Sequence, residues 1–372
     1  MEAHRKFSEW AVSQGVEING IAAHRFPGRG LGIIAQRNFE AGETIVVVPI
    51  SALRTAQTVP KRISRAIGKI TVHGLLAAEL TLDTTLDHAL WSDVLPTRED
   101  IAETMPLMWD SSLQSLLPEA SKVTVSKLKS KLSLDWAAVS KAFPDISYDD
   151  YLYHWLIINT RTFYFLIPKA KKRPPHLDCL AQSPFADYFN HAAHGCKVAF
   201  DDTGYEISTD RPYEKGSEIY ISYGNHSNDL LLAEYGFILE ENHWDEITLD
   251  SYIVPMLSEK QKLHLEEAGF LGKYILDKEV VCHRTQVVLR IFCLPIRRWK
   301  RFVDGLDDGD ADQAVVDISL LSILQQYEND ATKMLASLPN INSGLPSQRE
   351  ILSRRWKQIH NLLQATIKRM QK

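Results

Sequence analysis

Three short segments carry residue types and spacings that could do chemistry. Asp187-Tyr188-Phe189-Asn190-His191 sets three hydrogen-bonding side chains among aromatics. Ile219-Tyr220-Ile221-Ser222-Tyr223-Gly224 reads as a strand running into a glycine turn, which could leave the Tyr223 hydroxyl at a strand end facing a pocket. Gly28-Arg29-Gly30-Leu31-Gly32 is a turn whose glycines permit close approach of backbone to a ligand. Each segment has a plainer reading on its own: a turn-capping asparagine beside a satisfied histidine, a packing tyrosine, a hairpin turn. The glycine segment is not a nucleotide loop. Ile33 stands where the dinucleotide fingerprint needs its third glycine, and the Lys-Ser/Thr of a phosphate loop is missing. His191-Ala192-Ala193-His194-Gly195-Cys196 offers two imidazoles and a thiol but no fourth ligand nearby, so no metal is expected. A hydrolase reading has no GxSxG elbow to rest on.

These segments need elements to hold them. Residues 28–50 read as β structure, with strands at 31–35 and 44–48 around the turn Ala41-Gly42-Glu43. From about 61 to 165 the pattern is helical. Ser147-Tyr148-Asp149-Asp150 is a capping box that starts a helix carrying Leu152, Trp155, Leu156 and Asn159 at helical spacing. The basic run Lys169-Ala170-Lys171-Lys172-Arg173 reads first as a solvated loop, and second as a nuclear address or phosphate contact. Short strands return at 197–200, 205–209 and 218–222, separated by turn residues. A short helix at 230–237 ends at Tyr235-Gly236-Phe237, with Gly236 suited to terminate it. Beyond about 246 the chain is helical again. Ser347-Gln348-Arg349-Glu350 reads as a second capping box before an amphipathic stripe from Ile351 to Met370.

Composition bounds the class. With 372 residues, 45% hydrophobic and 24% charged, the chain is globular and long enough for two lobes. A net charge of −5 argues against a surface built to grip nucleic acid, so no direct nucleic-acid partner is expected. The four cysteines lie far apart with no CxxC pair, which supports neither a disulfide framework nor structural zinc and fits a reducing compartment. No signal peptide is visible, and the longest apolar run is far too short to span a bilayer. The expected locale is therefore cytoplasmic, nuclear or both, without a membrane.

No single motif decides the function; their order does. The glycine turn, a large insertion, Asn159-Thr160-Arg161-Thr162-Phe163, Asp187-x-x-Asn190-His191, Tyr223-Gly224 and then Tyr235-Gly236-Phe237 resemble the SET-domain methyltransferases. The branch most similar is that of the plant Rubisco large-subunit lysine methyltransferases and their animal and fungal relatives. The resemblance implies an α+β fold: a β-rich SET core split by a helical insertion and followed by an all-α, substrate-binding-like carboxyl lobe. The implied divisions are residues 1–60 and 181–245 for the core, 61–180 for the insertion and 246–372 for the lobe.

The same resemblance implies roles residue by residue. The backbone at Arg29, Gly30 and Leu31 would hold S-adenosyl-L-methionine (AdoMet). Arg161 would meet its carboxylate as a charged, fork-shaped donor, and Asn190 and His191 would contact its amine and adenine. Tyr223 is the implied catalytic tyrosine, and also borders the cofactor. Arg161, Phe163, Phe165, Asp187, Tyr235 and Phe237 would line the substrate side. The post-core cysteine cluster of many histone enzymes is missing, which favours a non-histone target. Phe163 stands where histidine-modifying members carry asparagine, which favours lysine.

The expected activity is therefore transfer of methyl groups from AdoMet to lysine of a non-histone protein, with S-adenosyl-L-homocysteine (AdoHcy) as product. A basic protein partner, such as a ribosomal protein or translation factor, is one reading of the acidic stretch Asp304 to Asp317; a solvated loop is the other. Two rivals stay open, since a fold does not dictate its chemistry: an enzyme on a small-molecule acceptor, and a non-catalytic SET-like binding module.

Overall fold

The computed structural model describes residues 1–27, 30–166, 179–279 and 281–372. Arg29 and the basic run 169–175 lie outside the described residues. The chain divides into two compact units, Met1–Ala102 with Ser126–Asn225, and Glu103–Val125 with His226–Lys372.

The first unit is built on strands β1 (Glu17–Ile18), β2 (Ile21–Phe26), β3 (Gly30–Ala35), β4 (Thr44–Pro49), β5 (Arg54–Thr55), β6 (Thr162–Tyr164) and β7 (Leu180–Gln182). They are joined by β8 (Asn190–Phe200), β9 (Gly204–Ser208) and β10 (Glu218–Ile221). One sheet runs in the order β1-β4-β9-β8-β10-β3-β2, and a smaller one in the order β5-β7-β6. Sequence-distant strands are thus neighbours, and residues from both sides of the insertion meet. Several elements differ from expectation, among them β6, a strand at the end of the stretch 61–165 whose pattern reads as helical. β2 pairs along its whole length with β3, from Ile21 opposite Ala35 to Phe26 opposite Gly30, although Ile21 is its only β-branched residue. β8 begins at Asn190 rather than Lys197, because pairing with β10 organises a segment whose polar composition reads as a turn.

The helices of the insertion follow local rules. Ser147 caps the helix Tyr148–Thr160, its Oγ accepting from the Asp150 amide at 3.5 Å, and Tyr151, Trp155, Leu156 and Ile158 are buried along it. The helix Val72–Leu82 starts at Thr71, whose Oγ1 accepts from the Gly74 amide at 2.9 Å. Between them lies a buried histidine. His73 Nε2 sits 2.8 Å from the Trp155 carbonyl and must donate to it, so Nδ1 accepts from Lys131 Nζ at 2.9 Å. Burial, then the Lys131 charge, holds the His73 pKa well below 6.5; burial also holds His154 down at about 4.

Both histidines are neutral in the fold and protonated more easily when unfolded. Their contribution is fully present above pH 6.5 and is lost as pH falls toward the folded value of about 4 for His154. The urea midpoint should accordingly drop between pH 7 and pH 5, and drop less in a His154→Asn variant. An equal fall in that variant would refute the assignment.

The second unit is helical, with one two-stranded ribbon of β11 (Glu246–Thr248) and β12 (Ile275–Asp277). The helices His283–Cys293, Gln313–Ser337 and Pro346–Met370 bury Leu289, Leu324, Ile359 and Leu363 in one core. The last helix does not start at Ser347. Leu345 is its N-cap residue, Pro346 takes the first turn where a missing N–H costs nothing, and Gln348 Oε1 accepts from the Leu345 amide at 2.8 Å. Among the described residues no helix is long and apolar enough to cross a membrane.

Candidate active site

Asn190 is a staple across three strands. Its Nδ2 donates to the Leu31 carbonyl of β3 at 2.9 Å and to Glu218 Oε1 of β10 at 2.8 Å. Glu218 Oε2 in turn accepts from the Tyr220 hydroxyl at 2.7 Å. Gly32 makes room for this. A Cβ there would lie 2.6 Å from Asn190 Nδ2 and 2.7 Å from Glu218 Oε1. The glycine run is thus shaped at Gly32 by an asparagine, while Gly30 has φ of +77° and open space where a side chain would stand.

The strand pairing next to Asn190 breaks register. Tyr220 faces Asn190, but the following Ile221 faces Cys196, so residues 191–195 arch out over one step of β10. Gly195 closes the arch against backbone, since a Cβ there would sit 2.6 Å from the Tyr220 carbonyl oxygen. This crossing brings His191 to the chain just beyond β10. Tyr223 N–H donates to His191 Nδ1 at 3.0 Å, and the two rings lie 5.0 Å apart at 31°. Because that amide is always a donor, Nδ1 must be the unprotonated nitrogen of the imidazole. The Tyr223 hydroxyl donates to the Phe189 carbonyl at 2.7 Å. Main chain and side chain of Tyr223 are therefore both held by the 189–191 segment.

Arg161 follows the helix Tyr148–Thr160, where the helix dipole favours a cation. Its Nη1 donates to the Asp187 carbonyl at 2.8 Å and lies 3.7 Å from Asp187 Oδ2. The Asp187 side chain is 4% exposed, and burial raises its pKa against the opposing pull of Arg161. Arg161 Nε is buried without a protein acceptor among the described residues. A donor left over in this way fits a carboxylate-bearing ligand.

The other expected site residues are placed as follows. Phe163, in β6, packs on Tyr205 with ring centroids 5.6 Å apart, and buried Phe165 meets Phe200 edge-on at 5.4 Å. Tyr235 and Phe237 belong to the second unit, with rings 6.2 Å apart. Tyr235 ends the helix Asn228–Tyr235, and burial pushes its pKa up to about 12. Gly236 follows with φ of 79°, and a Cβ there would meet the Thr104 carbonyl at 2.6 Å. The structure brings Leu31, Asn190, His191 and Tyr223 together in one network, with Arg161 and Asp187 joined through residues 187–189, while Gly30 precedes Leu31 on β3.

Sequence reasoning missed Glu218 and Tyr220. Their signal is the polar i, i+2 pair on a strand whose other residues, Ile219 and Ile221, are buried. It also missed the Phe189 carbonyl, which no side-chain pattern reveals. Among the described residues one set of metal-capable groups converges, Glu79, Asp83 and His88. Arg54 already serves as its cation, with Nη2 at 2.6 Å from both Glu79 Oε1 and Asp83 Oδ2. Burial opposes the Asp83 charge, yet hydrogen bonds from Thr85 and His88 and the Arg54 charge hold its pKa down at about 2. Of the thiol and imidazoles at 191–196, His191 is engaged by Tyr223, His194 is exposed and Cys196 is buried 3.8 Å from the Tyr213 hydroxyl.

Comparison with known proteins places the chain by family models, by relatives and by fold. The family model described as the SET domain matches residues 30–224, and that described as the ribosomal lysine N-methyltransferase 2 C-terminal domain matches residues 245–369. SET domain-containing protein 4 of Mus musculus is 25% identical over 93% of this chain and 85% of its own length. Ribosomal lysine N-methyltransferase set11 of Schizosaccharomyces pombe is 27% identical over 63% of each chain. In fold, the SET domain of LSMT bound to lysine and AdoHcy superposes with a TM-score of 0.69 at 17% identity, covering 100% of this chain and 91% of that one.

Proposed function

The chain belongs to the SET-domain family, and from that premise we propose that it transfers methyl groups from AdoMet to a lysine side chain of a non-histone protein. The observation that carries this reading is the double anchoring of Tyr223 on Phe189 and His191. AdoMet, when bound, supplies an electrophilic methyl group on a sulfonium and leaves as AdoHcy. The backbone of Gly30 and Leu31, the Arg161 guanidinium, and Asn190 with His191 would hold it, with Arg29 completing that set from outside the described residues. Asn190 brings its Oδ1 and main chain, since Nδ2 is committed to β3 and β10.

The acceptor must be a neutral amine, although a free lysine has a pKa of about 10.4. An apolar channel works against the ammonium form and so favours loss of the proton. Arg161, Phe163, Phe165, Asp187, Tyr235 and Phe237 are the residues we assign to the substrate side. Tyr223 would orient the amine, because in-line displacement depends on positioning more than on a strong base. The divisions we propose are a core at 1–60 and 181–245, an insertion at 61–180 and a substrate-binding-like lobe at 246–372; by compactness alone, 103–125 and 226–245 group with the second unit. A basic protein target, free of direct nucleic-acid contact and met in the cytoplasm or nucleus, suits the net charge of −5 and relatives named for ribosomal lysine methylation.

The test is incubation of the purified chain with methyl-labelled AdoMet and a fractionated lysate. Label recovered as methyl-lysine in a protein band is expected. Label confined to small molecules, or cofactor binding with no transfer, would overturn the reading in favour of either rival. Arg161→Lys should weaken AdoHcy binding about tenfold in calorimetry, because a point charge cannot reproduce the guanidinium fork. Unchanged affinity would remove Arg161 from the cofactor site.

A further inference from the structure

The first helix, Glu2–Ser13, precedes the residues that the SET family model matches, yet its buried face is spent on the active segment. Phe7 is fully buried and meets Tyr188 edge-on, with ring centroids 5.6 Å apart at 85°. His4 Nδ1 lies 2.8 Å from the Tyr188 hydroxyl. Tyr188 is 4% exposed and stays protonated, since burial and the Asp187 charge push its pKa up, so its hydroxyl donates and His4 Nδ1 accepts. Tyr188 stands between the two residues that matter most beside it. Asp187 takes the Arg161 guanidinium, and the Phe189 carbonyl takes the Tyr223 hydroxyl.

This segment is also strained. Phe185, three residues upstream, has φ of 66° and ψ of −39°, near the rare γ-turn that non-glycine residues avoid. Its ring is fully buried and packs edge-on against Tyr188 at 5.7 Å. Such a conformation persists only where surrounding packing over-determines it. The helix Glu2–Ser13 supplies packing of that kind, through Phe7 on Tyr188 and on Trp91.

We propose that the helix Glu2–Ser13 is a positioning element for the reaction: His4 and Phe7, acting through Tyr188, clamp residues 185–189 and so set the Phe189 carbonyl that aims Tyr223. Its kinetic consequence rests on the methyltransferase reading; its structural consequence does not. His4 and Tyr188 are positioning residues, since neither reaches the reacting atoms themselves.

The experiment uses the full chain with His4→Ala, Tyr188→Phe, their double variant and His4→Asn, which returns an acceptor near the Nδ1 position. Amide hydrogen exchange across 185–191 and single-turnover rate are measured below the melting temperature of each variant. Loss of the His4 contact should speed exchange in that segment and lower the rate about tenfold, the scale expected from misplaced reacting groups. The double variant should match either single one, because both remove one hydrogen bond, and His4→Asn should recover much of the loss. A merely structural role would lower the melting temperature and leave exchange at 185–191 and the rate unchanged; that result overturns the proposal. If the unaltered protein transfers no methyl group, the functional reading fails, and unchanged exchange in the variants separately defeats the clamp.

Discussion

Tyr223→Phe should lower kcat by about a hundredfold or more, the cost typical of losing one positioned hydrogen-bonding group at a reaction centre, while AdoHcy affinity stays nearly constant. The split follows from how Tyr223 is held. Its backbone amide rests on His191 and its ring lies 5.0 Å from the imidazole, and neither contact uses the hydroxyl. Phenylalanine keeps both. What disappears is the bond to the Phe189 carbonyl at 2.7 Å, and with it the oxygen that would orient the incoming amine. The vacated carbonyl belongs to the same short segment as Asn190 and His191, so its loss of a partner acts locally. Rapid-quench single turnovers measure the first quantity and calorimetry the second. A normal kcat would sink the assignment of Tyr223, and a matching loss of AdoHcy affinity would make it a cofactor residue instead.

Arg355→Met should destabilise the protein by about 3–5 kcal/mol, as expected when one partner of a buried ion pair is removed. Arg355 is fully buried in the second unit, with Nε at 2.8 Å from Asp229 Oδ1 and Nη1 at 2.6 Å from Asp245 Oδ2. Burial alone disfavours the cation, but the two carboxylates outweigh it and hold its pKa above the ordinary arginine value. Methionine fills similar volume and strands Asp229, itself 2% exposed and hydrogen-bonded by Ser121. The same unit already carries a raised Glu246, pushed up by burial and by Asp245, Asp277 and Asp229, so the local field turns further against anions. Arg355→Lys should also be costly, because one ammonium lacks the fork that reaches both partners. Urea unfolding checks both variants, and a midpoint unchanged in Arg355→Met would contradict the account.

The legible part of the site consisted of side chains whose type is unusual for their setting. Asn190 and His191 among aromatics, Tyr223 before a glycine and Arg161 after a helix all stand out in one dimension. Residues that act through backbone did not. The Phe189 carbonyl and the Gly195 approach to Tyr220 carry no side-chain signature. The β8 start was unreadable for a related reason: Asn190 and His191 look like turn residues, and a parallel partner thirty residues away makes them a strand. The last helix shows the opposite error. Ser347 matches the capping pattern, but Pro346 is pre-set for the first helical turn and moves the start to Leu345.

The sequence by itself determined the alternation of β-rich and helical stretches and the order of the motifs, because periodicity, turn residues and side-chain type are local properties; the family and its chemistry came from the resemblance that this order carries. Only the tertiary structure decided which of those residues share a hydrogen bond. Asn190 joins Leu31 and Glu218, Tyr223 rests on Phe189 and His191, and His4 reaches Tyr188 from the far end of the chain. Such contacts depend on strand order and on a single register break between β8 and β10. Pairing across long separations is set by the packing of the whole sheet, and no short window of sequence encodes it.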